Sequence, residues 1–487
     1  MLRRALIAAL TLAALLTLVV TYRALVTTRA VETLPPTSLL ALDVDSAAKK
    51  LAGAIALPTL WKGTDTATTT FQQLHTHLAR SFPRTHQTLR VETIEGFSLL
   101  YTWQGSDRSK KPILLMAHQD VVPIAPGTEE DWTHPPFSGA ISDGFVWGRG
   151  ALDIKSALVA ELEAIETLIA AGFVPKRTVY LAFGHDEEVG GTGAAAIARA
   201  LAERGVRLEL VLDEGSSMVE GLIPGVKEPV AVIGIAEKGY VSLELSVRAE
   251  GGHSSMPPPH TAVGILSQAV TRLEANPFPS KRTYAGKFFR ELAPAMPFHL
   301  RLVFTNLWLF GPIVEPILAK TKPMNAAIRT TTAVTMFQAG VKDNVLPQEA
   351  RAVVNFRIIP GETITTTIEH VESTIANPDV EVRQLTKGSI GNDPSAVSDT
   401  NSEAYRRLRT TIRQVTGNGG FVVAPYLVLG ATDSRHYAKV SDATFRFVMN
   451  LAGPEDLPRI HGTNERVAVK SLEDMIRFYA QLIRGFD

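Results

Sequence analysis

Thr178-Val-Tyr-Leu-Ala-Phe-Gly-His-Asp-Glu-Glu-Val-Gly-Gly191 is the stretch that decides how this chain folds. Thr178 to Phe183 is short, apolar and rich in β-formers, so it reads as a buried strand. A polar, glycine-flanked run follows, and Gly193 to Arg204 then reads as a helix. Working outward, the same unit recurs. Lys111 to Met116 is an apolar strand that runs up to His118. Ile154, Leu158, Leu162, Ile165 and Ile169 repeat at helical spacing, and Gly172 stops that helix. Leu208 to Leu212 is a further strand. Strands separated by helices predict an α/β fold with a mostly parallel sheet flanked by helices. Such sheets place their sites beyond the C-terminal ends of the strands.

The pattern changes at Tyr240. Val241, Leu243, Leu245 and Val247 alternate with other residues, which reads as a strand with one face in a core. A helix over Thr261 to Ala275, a strand over Ala350 to Ile359, a helix over Thr363 to Ile375 and a strand over Val380 to Leu385 follow. Between them, Pro277 to Lys322 is rich in Pro and Phe and shows no clear period. The reading is a smaller α+β lid or dimerisation domain at 241–395, inserted between catalytic parts at 45–240 and 396–487.

Lys+Arg and Asp+Glu both number 49, so the chain lacks the basic excess of a nucleic-acid binder. It has no cysteine, which excludes disulfides and leaves His, Asp and Glu as the metal-binding side chains. Arg3 and Arg4 precede an apolar run from Ala5 to Tyr22, long enough to approach a bilayer span. Residues 1–23 therefore read as a signal anchor or a signal peptide, with 24–44 as a linker. The two arginines favour the cytoplasmic side, which puts the catalytic domain outside the cytoplasm, or secreted if the segment is cleaved.

Polar clusters end the strands. Met116-Ala-His118-Gln-Asp120 pairs an imidazole with a carboxylate that can orient it. Gly148-Arg-Gly-Ala-Leu-Asp153 opens the long helix, Glu187-Glu188 follows one strand, and Asp213-Glu214 ends another. Far along the chain stands Arg459-Ile-His461-Gly-Thr-Asn464-Glu465. Each has a bland reading: a surface histidine, solvated loop acids, an N-cap at Asp153. Together they would bury several carboxylates near one another, which needs compensating charge. Divalent cations supply it.

In this order and at this spacing, the motifs resemble the di-zinc metallopeptidase family of aminoacylase, carboxypeptidase S and bacterial glutamate carboxypeptidase. The phrases Pro135-Pro-Phe-Ser-Gly139, Gly251-Gly-His253-Ser-Ser255, Ala431-Thr-Asp-Ser-Arg435 and Arg459-Ile-His-Gly462 look like its carboxypeptidase S branch, which includes enzymes of N-fatty-acyl amino acids. The resemblance implies two zinc ions per subunit, with Asp153 bridging, His118 and Asp213 on one, Glu188 and His461 on the other. Glu214, adjacent to Asp213, is the alternative ligand. It implies a cis bond after Asp153, Asp120 behind His118, and Glu187 as general base. It also implies a homodimer in which His253 reaches the partner's site, and a substrate carboxylate held by Arg357, with Arg435 as a second candidate.

The implied activity is hydrolysis of a small-molecule amide, a peptide or an N-acyl amino acid, whose amine side is an amino acid with a free carboxylate. Reversible N-fatty-acyl-amino acid synthesis and hydrolysis is the alternative. A catalytically silent binding protein of the same fold is the non-enzymatic one. Phe278, Phe288, Phe289, Phe298, Phe304, Trp308 and Phe310 read either as local core or as the wall of an acyl-chain site.

Overall fold

The computed structural model describes residues 1–28, 34, 37–61, 68–385, 391–417 and 421–487. Of the expected linker, residues 29–33 and 35–36 lie outside that description. The principal strands are β1 (Arg90–Ile94), β2 (Ser98–Trp103), β3 (Ile113–His118), β4 (Val179–Gly184), β5 (Leu210–Val219), β6 (Val230–Glu237), β7 (Gly239–Arg248), β8 (Thr331–Ala339), β9 (Glu349–Ile358), β10 (Val380–Gln384), β11 (Val422–Val428) and β12 (Thr444–Ala452).

Eight of them form one sheet in the order β1-β2-β4-β3-β5-β12-β6-β11. Its centre, β4-β3-β5-β12, is parallel, while β1, β2 and β4 pair antiparallel. All six residues of β3 and of β4 are buried, because both faces of the sheet are covered. Ile113, Leu115 and Ala117 point into a core built with the helix Lys155–Ala170 and the C-terminal helix Val469–Phe486. Leu114 and Met116 point the other way, onto the helix Thr192–Glu203. The strand period of two thus splits one apolar run between two cores.

The second sheet, β8-β9-β7-β10, is antiparallel. Val241, Leu243, Leu245 and Val247 bury themselves beneath the helices Ala262–Ala275 and Ile364–Ile375. The fold is the expected one: a mostly parallel sheet flanked by helices, with a smaller α+β unit inserted.

The segment without a visible period is helical: Thr283–Leu292, Phe298–Phe304 and Leu307–Leu318. These helices are short, and Pro312 and Pro316 stand inside the last, so little periodicity accumulates. Phe288, Phe289 and Leu292 pack against Val230, Val232, Val422 and Ala424 of the eight-stranded sheet. Phe278 belongs instead to the core of the inserted unit, against Phe356 and His370. Those aromatics are core, whereas Phe298 and Trp308 are exposed.

Candidate metal centre

Every cluster named above except His253 and Arg357 converges beyond the C-terminal end of the parallel sheet. His118 ends β3 and is buried. Its Nδ1 faces Asp120, 3.0 Å from the carbonyl oxygen and 3.3 Å from Oδ1. Its Nε2 lies 2.9 Å from Asp153 Oδ1 and 3.2 Å from Glu214 Oε1. His461 mirrors it, with Nε2 3.0 Å from Asp153 Oδ2 and 3.2 Å from Glu188 Oε1. Asp153 therefore offers one oxygen to each histidine. It does not cap the following helix, whose N-cap position is Ile154. The Asp153–Ile154 peptide is cis.

Of the two adjacent acids, Asp213, the favoured ligand, and Glu214, the alternative, it is Glu214 that faces His118. Consecutive residues on a strand point to opposite faces. The Asp213 carboxylate accepts from the backbone N–H of Ser434 at 2.8 Å and of Glu214 at 2.9 Å, so it holds a loop in place.

Asp120 does two things at once. Besides facing the His118 ring, its oxygens accept the N–H groups of Glu187 at 3.1 Å and Glu188 at 3.2 Å. The turn carrying the two glutamates is thereby locked to the histidine. Asp186 finishes that turn by accepting from the N–H groups of Thr192 and Gly193 at the start of the next helix. Gly191 has φ +68°, and a Cβ there would collide with the Asp433 carboxylate, so no other residue fits well.

The electrostatics are those of crowded, buried acids. Burial first, then His118, Asp433, Glu214 and Glu188, act on Glu187, and the net effect raises its carboxyl well above the usual range. Glu214 is pushed up to about 8, by burial and then by Asp153. Burial opposes the charged ring of His118, but Glu214 and the bonds to Asp120, Asp153 and Glu214 outweigh it, and the net effect raises the ring well above its usual value. Hydrogen bonds to Asp153 and Glu188 lift His461 to about 10.

These donors fit divalent cations. Each Nε2 has one proton at most, yet faces two carboxylate oxygens. A cation at each shared point would satisfy all three atoms. His118, Asp153 and Glu214 form one such group, and Asp153, Glu188 and His461 the other, with each group's ligand atoms within 4.8 Å of one another. Glu188 Oε1 is buried and faces His461 Nε2.

Two residues not singled out from the sequence shape the centre. Glu465 is buried, and its Oε1 accepts the N–H groups of Gly150, Leu152 and Asp153 at 3.0, 2.8 and 3.1 Å. Its Oε2 takes Arg149 Nη1 at 2.6 Å. Both oxygens of Asp433 are buried without a hydrogen bond among the described residues, beside Gly184 and Gly191. Glu465 and Asp433 stand inside motifs quoted for their neighbours, so the signal was present but pointed at other residues.

The remaining candidates stand outside the two donor groups. His253 is exposed on the short strand Gly252–His253, its Nδ1 2.8 Å from Ser255 Oγ. Arg357 lies on β9 with its guanidinium 4.8 Å over the Tyr240 ring, and among the described residues it makes no ion pair. Arg435 donates to the carbonyls of Thr432 at 2.8 Å and Gly190 at 2.9 Å, so part of its guanidinium is already engaged.

Known proteins resemble this chain over most of its length. It is 39% identical over 465 residues to a probable carboxypeptidase S-like 2 of Dictyostelium discoideum, across 93% of this chain and 88% of that protein. It is 40% identical over 444 residues to an N-fatty-acyl-amino acid synthase/hydrolase of Xenopus tropicalis, across 90% of this chain and 85% of that one. A solved M20 family metallo-carboxypeptidase from Sulfolobus solfataricus shares the fold, with a TM-score of 0.63 at 16% identity over 90% of this chain and 99% of the other. The pattern of peptidase family M20/M25/M40 matches residues 114–485, a stretch that holds all of the clustered carboxylates and histidines, and the chain belongs to that family.

Proposed function

We propose that the protein hydrolyses an amide bond whose amine side is an amino acid with a free α-carboxylate, using two zinc ions per subunit. The observation that carries this reading is the placement of Asp153 between His118 and His461, with Glu214 and Glu188 completing two donor groups. When bound, the metal pair supplies Lewis acidity to the scissile carbonyl and to the attacking water. Neutral imidazole and carboxylate donors suit zinc.

The side chains divide the remaining work. Glu187 sits among Glu188, Glu214 and Asp433 and has no role in either donor group. It takes the proton of the attacking water and returns it to the leaving amine nitrogen, as a general base and then a general acid. Asp120 orients His118 and holds the Glu187 turn in register. Arg357, without an anionic partner among the described residues, suits a substrate carboxylate, and its planar guanidinium favours a bidentate grip. His253 supplies a donor to the developing oxyanion. Its exposure, away from this chain's own cluster, supports delivery from a second subunit in a homodimer.

The boundaries 45–240, 241–395 and 396–487 remain our assignment, with one addition. Thr283 to Ile328 lies within the insertion by sequence but packs on the eight-stranded sheet, so we assign it to the catalytic body. The helix Leu2–Val26 is long and apolar enough to cross a membrane. We assign it as the anchor, with the catalytic body outside the cytoplasm.

Reversible synthesis of N-fatty-acyl amino acids is the second reading, favoured by the name and identity of the Xenopus relative. The test compares an N-acetyl amino acid, an N-oleoyl amino acid and a dipeptide, each as free acid and as amide. We expect turnover of free acids to far exceed that of amides. It should fall by about 10²–10⁴-fold in Glu187→Gln, the usual size of a general-base contribution. Equal rates for acids and amides would remove the carboxylate from the substrate definition. A clear preference for the dipeptide would exclude the fatty-acyl reading.

A further inference from the structure

The helical segment Phe298–Leu318 has no part in the chemistry above, yet its surface is unusual. Phe298, Trp308, Ile313 and Ile317 are 45%, 55%, 65% and 59% exposed. On Leu307–Leu318 the exposed positions 308, 312, 313, 316 and 317 recur at helical spacing, so they form one continuous apolar face. The helix carries a single charge, Glu315, which turns to Arg282 at 3.8 Å. Patches of this kind on a protein surface mark an interaction site.

What lies against this face is indicated by the helix Leu2–Val26. That helix is exposed along nearly all its length, with only Val20 and Ala24 buried. Both are buried at the start of the apolar segment. Asn306, itself fully buried, donates to the carbonyl of Val20 at 3.1 Å, and Arg23 donates to the carbonyl of Thr305 at 3.4 Å. The 18 uncharged residues from Ala5 to Tyr22 span about 27 Å at ~1.5 Å per residue. A bilayer's apolar core is roughly 30 Å thick. The run ends at Tyr22, so Val20, to which Asn306 is pinned, lies close to the outer edge of that core. Trp308, whose Nε1 is 3.3 Å from Asn306 Oδ1, stands at the depth where tryptophans collect. Lys320 and Lys322, exposed just beyond the helix, suit anionic headgroups.

We propose that the exposed apolar face of Leu307–Leu318, together with Phe298, lies in the interfacial layer of the bilayer that Leu2–Val26 crosses. This rests on the reading of Leu2–Val26 as a membrane anchor. The enzyme is then laid down on the membrane along a second surface, with its orientation fixed. Substrates with long acyl chains, which partition into that layer, would be met there.

The chain has no cysteine, so single nitroxide labels can be placed cleanly. Leu10→Cys, Ile313→Cys, Ile317→Cys and Val341→Cys forms of the full chain are reconstituted into phosphatidylcholine/phosphatidylserine vesicles. Collision with oxygen, which concentrates in lipid, is compared with collision with a water-soluble nickel complex. Oxygen preference at Leu10, Ile313 and Ile317, with nickel preference at Val341, is the expected result. Nickel preference at Ile313 and Ile317 while Leu10 keeps oxygen defeats this inference and leaves the anchor standing. Nickel preference at Leu10 defeats both. Shielding of Ile313 and Ile317 from both reagents, with spin–spin broadening, would assign the face to a second copy of the chain and overturn the proposal.

Discussion

The metal centre and the inserted unit hold their polar residues in opposite ways. At the centre nearly every carboxylate has two partners. Asp153 serves His118 and His461, Asp120 serves His118 and the Glu187–Glu188 turn, and Glu465 serves three N–H groups and Arg149. In the inserted unit His253 is exposed with its ring against Ser255, and Arg357 rests on Tyr240. Residues so thoroughly interlocked are pre-organised before substrate arrives, which is what transition-state stabilisation requires. The two lone residues are available for a group that arrives later: substrate, a closing movement or a second subunit. Under the proposed function, the contrast separates a fixed half of the site from a completed half.

That separation can be broken most severely at the fixed half. Chelation should abolish turnover, and His461→Ala should lower zinc occupancy, checked by elemental analysis of the purified protein. Glu214→Gln should cost far more zinc than Asp213→Asn, because only Glu214 faces His118. The reverse order would return the ligand role to Asp213.

Glu465→Gln comes next. It leaves Arg149 buried without its carboxylate, and removing one partner of a buried pair costs about 3–5 kcal/mol. Denaturant titration of wild type and variant should show that loss as a lower midpoint. An unchanged midpoint would mean that the backbone of the Asp153 loop, not Glu465, keeps the centre in shape.

The completed half is tested by mixing subunits. His253→Ala should lower kcat by about 10²–10³-fold, the cost of losing one oxyanion donor. Mixed with Glu187→Gln it should regain activity, since one hybrid site is intact. No recovery despite proven subunit exchange would place His253 in its own chain's site, or outside catalysis. The smallest effect is expected at Arg357. Arg357→Met should raise KM for free acids through loss of about 1.5–3 kcal/mol, the worth of a hydrogen bond to a charged group. Amidated substrates should be unaffected. An equal change in KM for both would remove Arg357 from carboxylate recognition.

Much of this molecule is already legible in its sequence. β3 and β4 declare themselves because a strand buried on both faces must be apolar throughout, and His118 and Glu187–Glu188 stand out because they interrupt such runs. The alternation of Val241 to Val247 marks the change to a sheet with one face in a core. Those signals are local, set by the strand period and by side-chain polarity. What the sequence leaves open is direction and long-range pairing. Asp213 and Glu214 are equivalent acids until Ser434, from 221 residues away, claims one of them. Asp153 looks like an N-cap until two histidines from distant segments take its oxygens. Glu465 means little until the Gly150–Asp153 backbone, over 300 residues earlier, folds around it. The helices between Thr283 and Leu318 hide because they are short and proline-bearing, and the place where they meet Leu2–Val26 exists only once the chain has folded. Composition and period determine which residues are polar at a strand end or apolar on a helix. Only tertiary contact decides which of two neighbours faces inward, because that choice depends on atoms supplied from elsewhere in the chain.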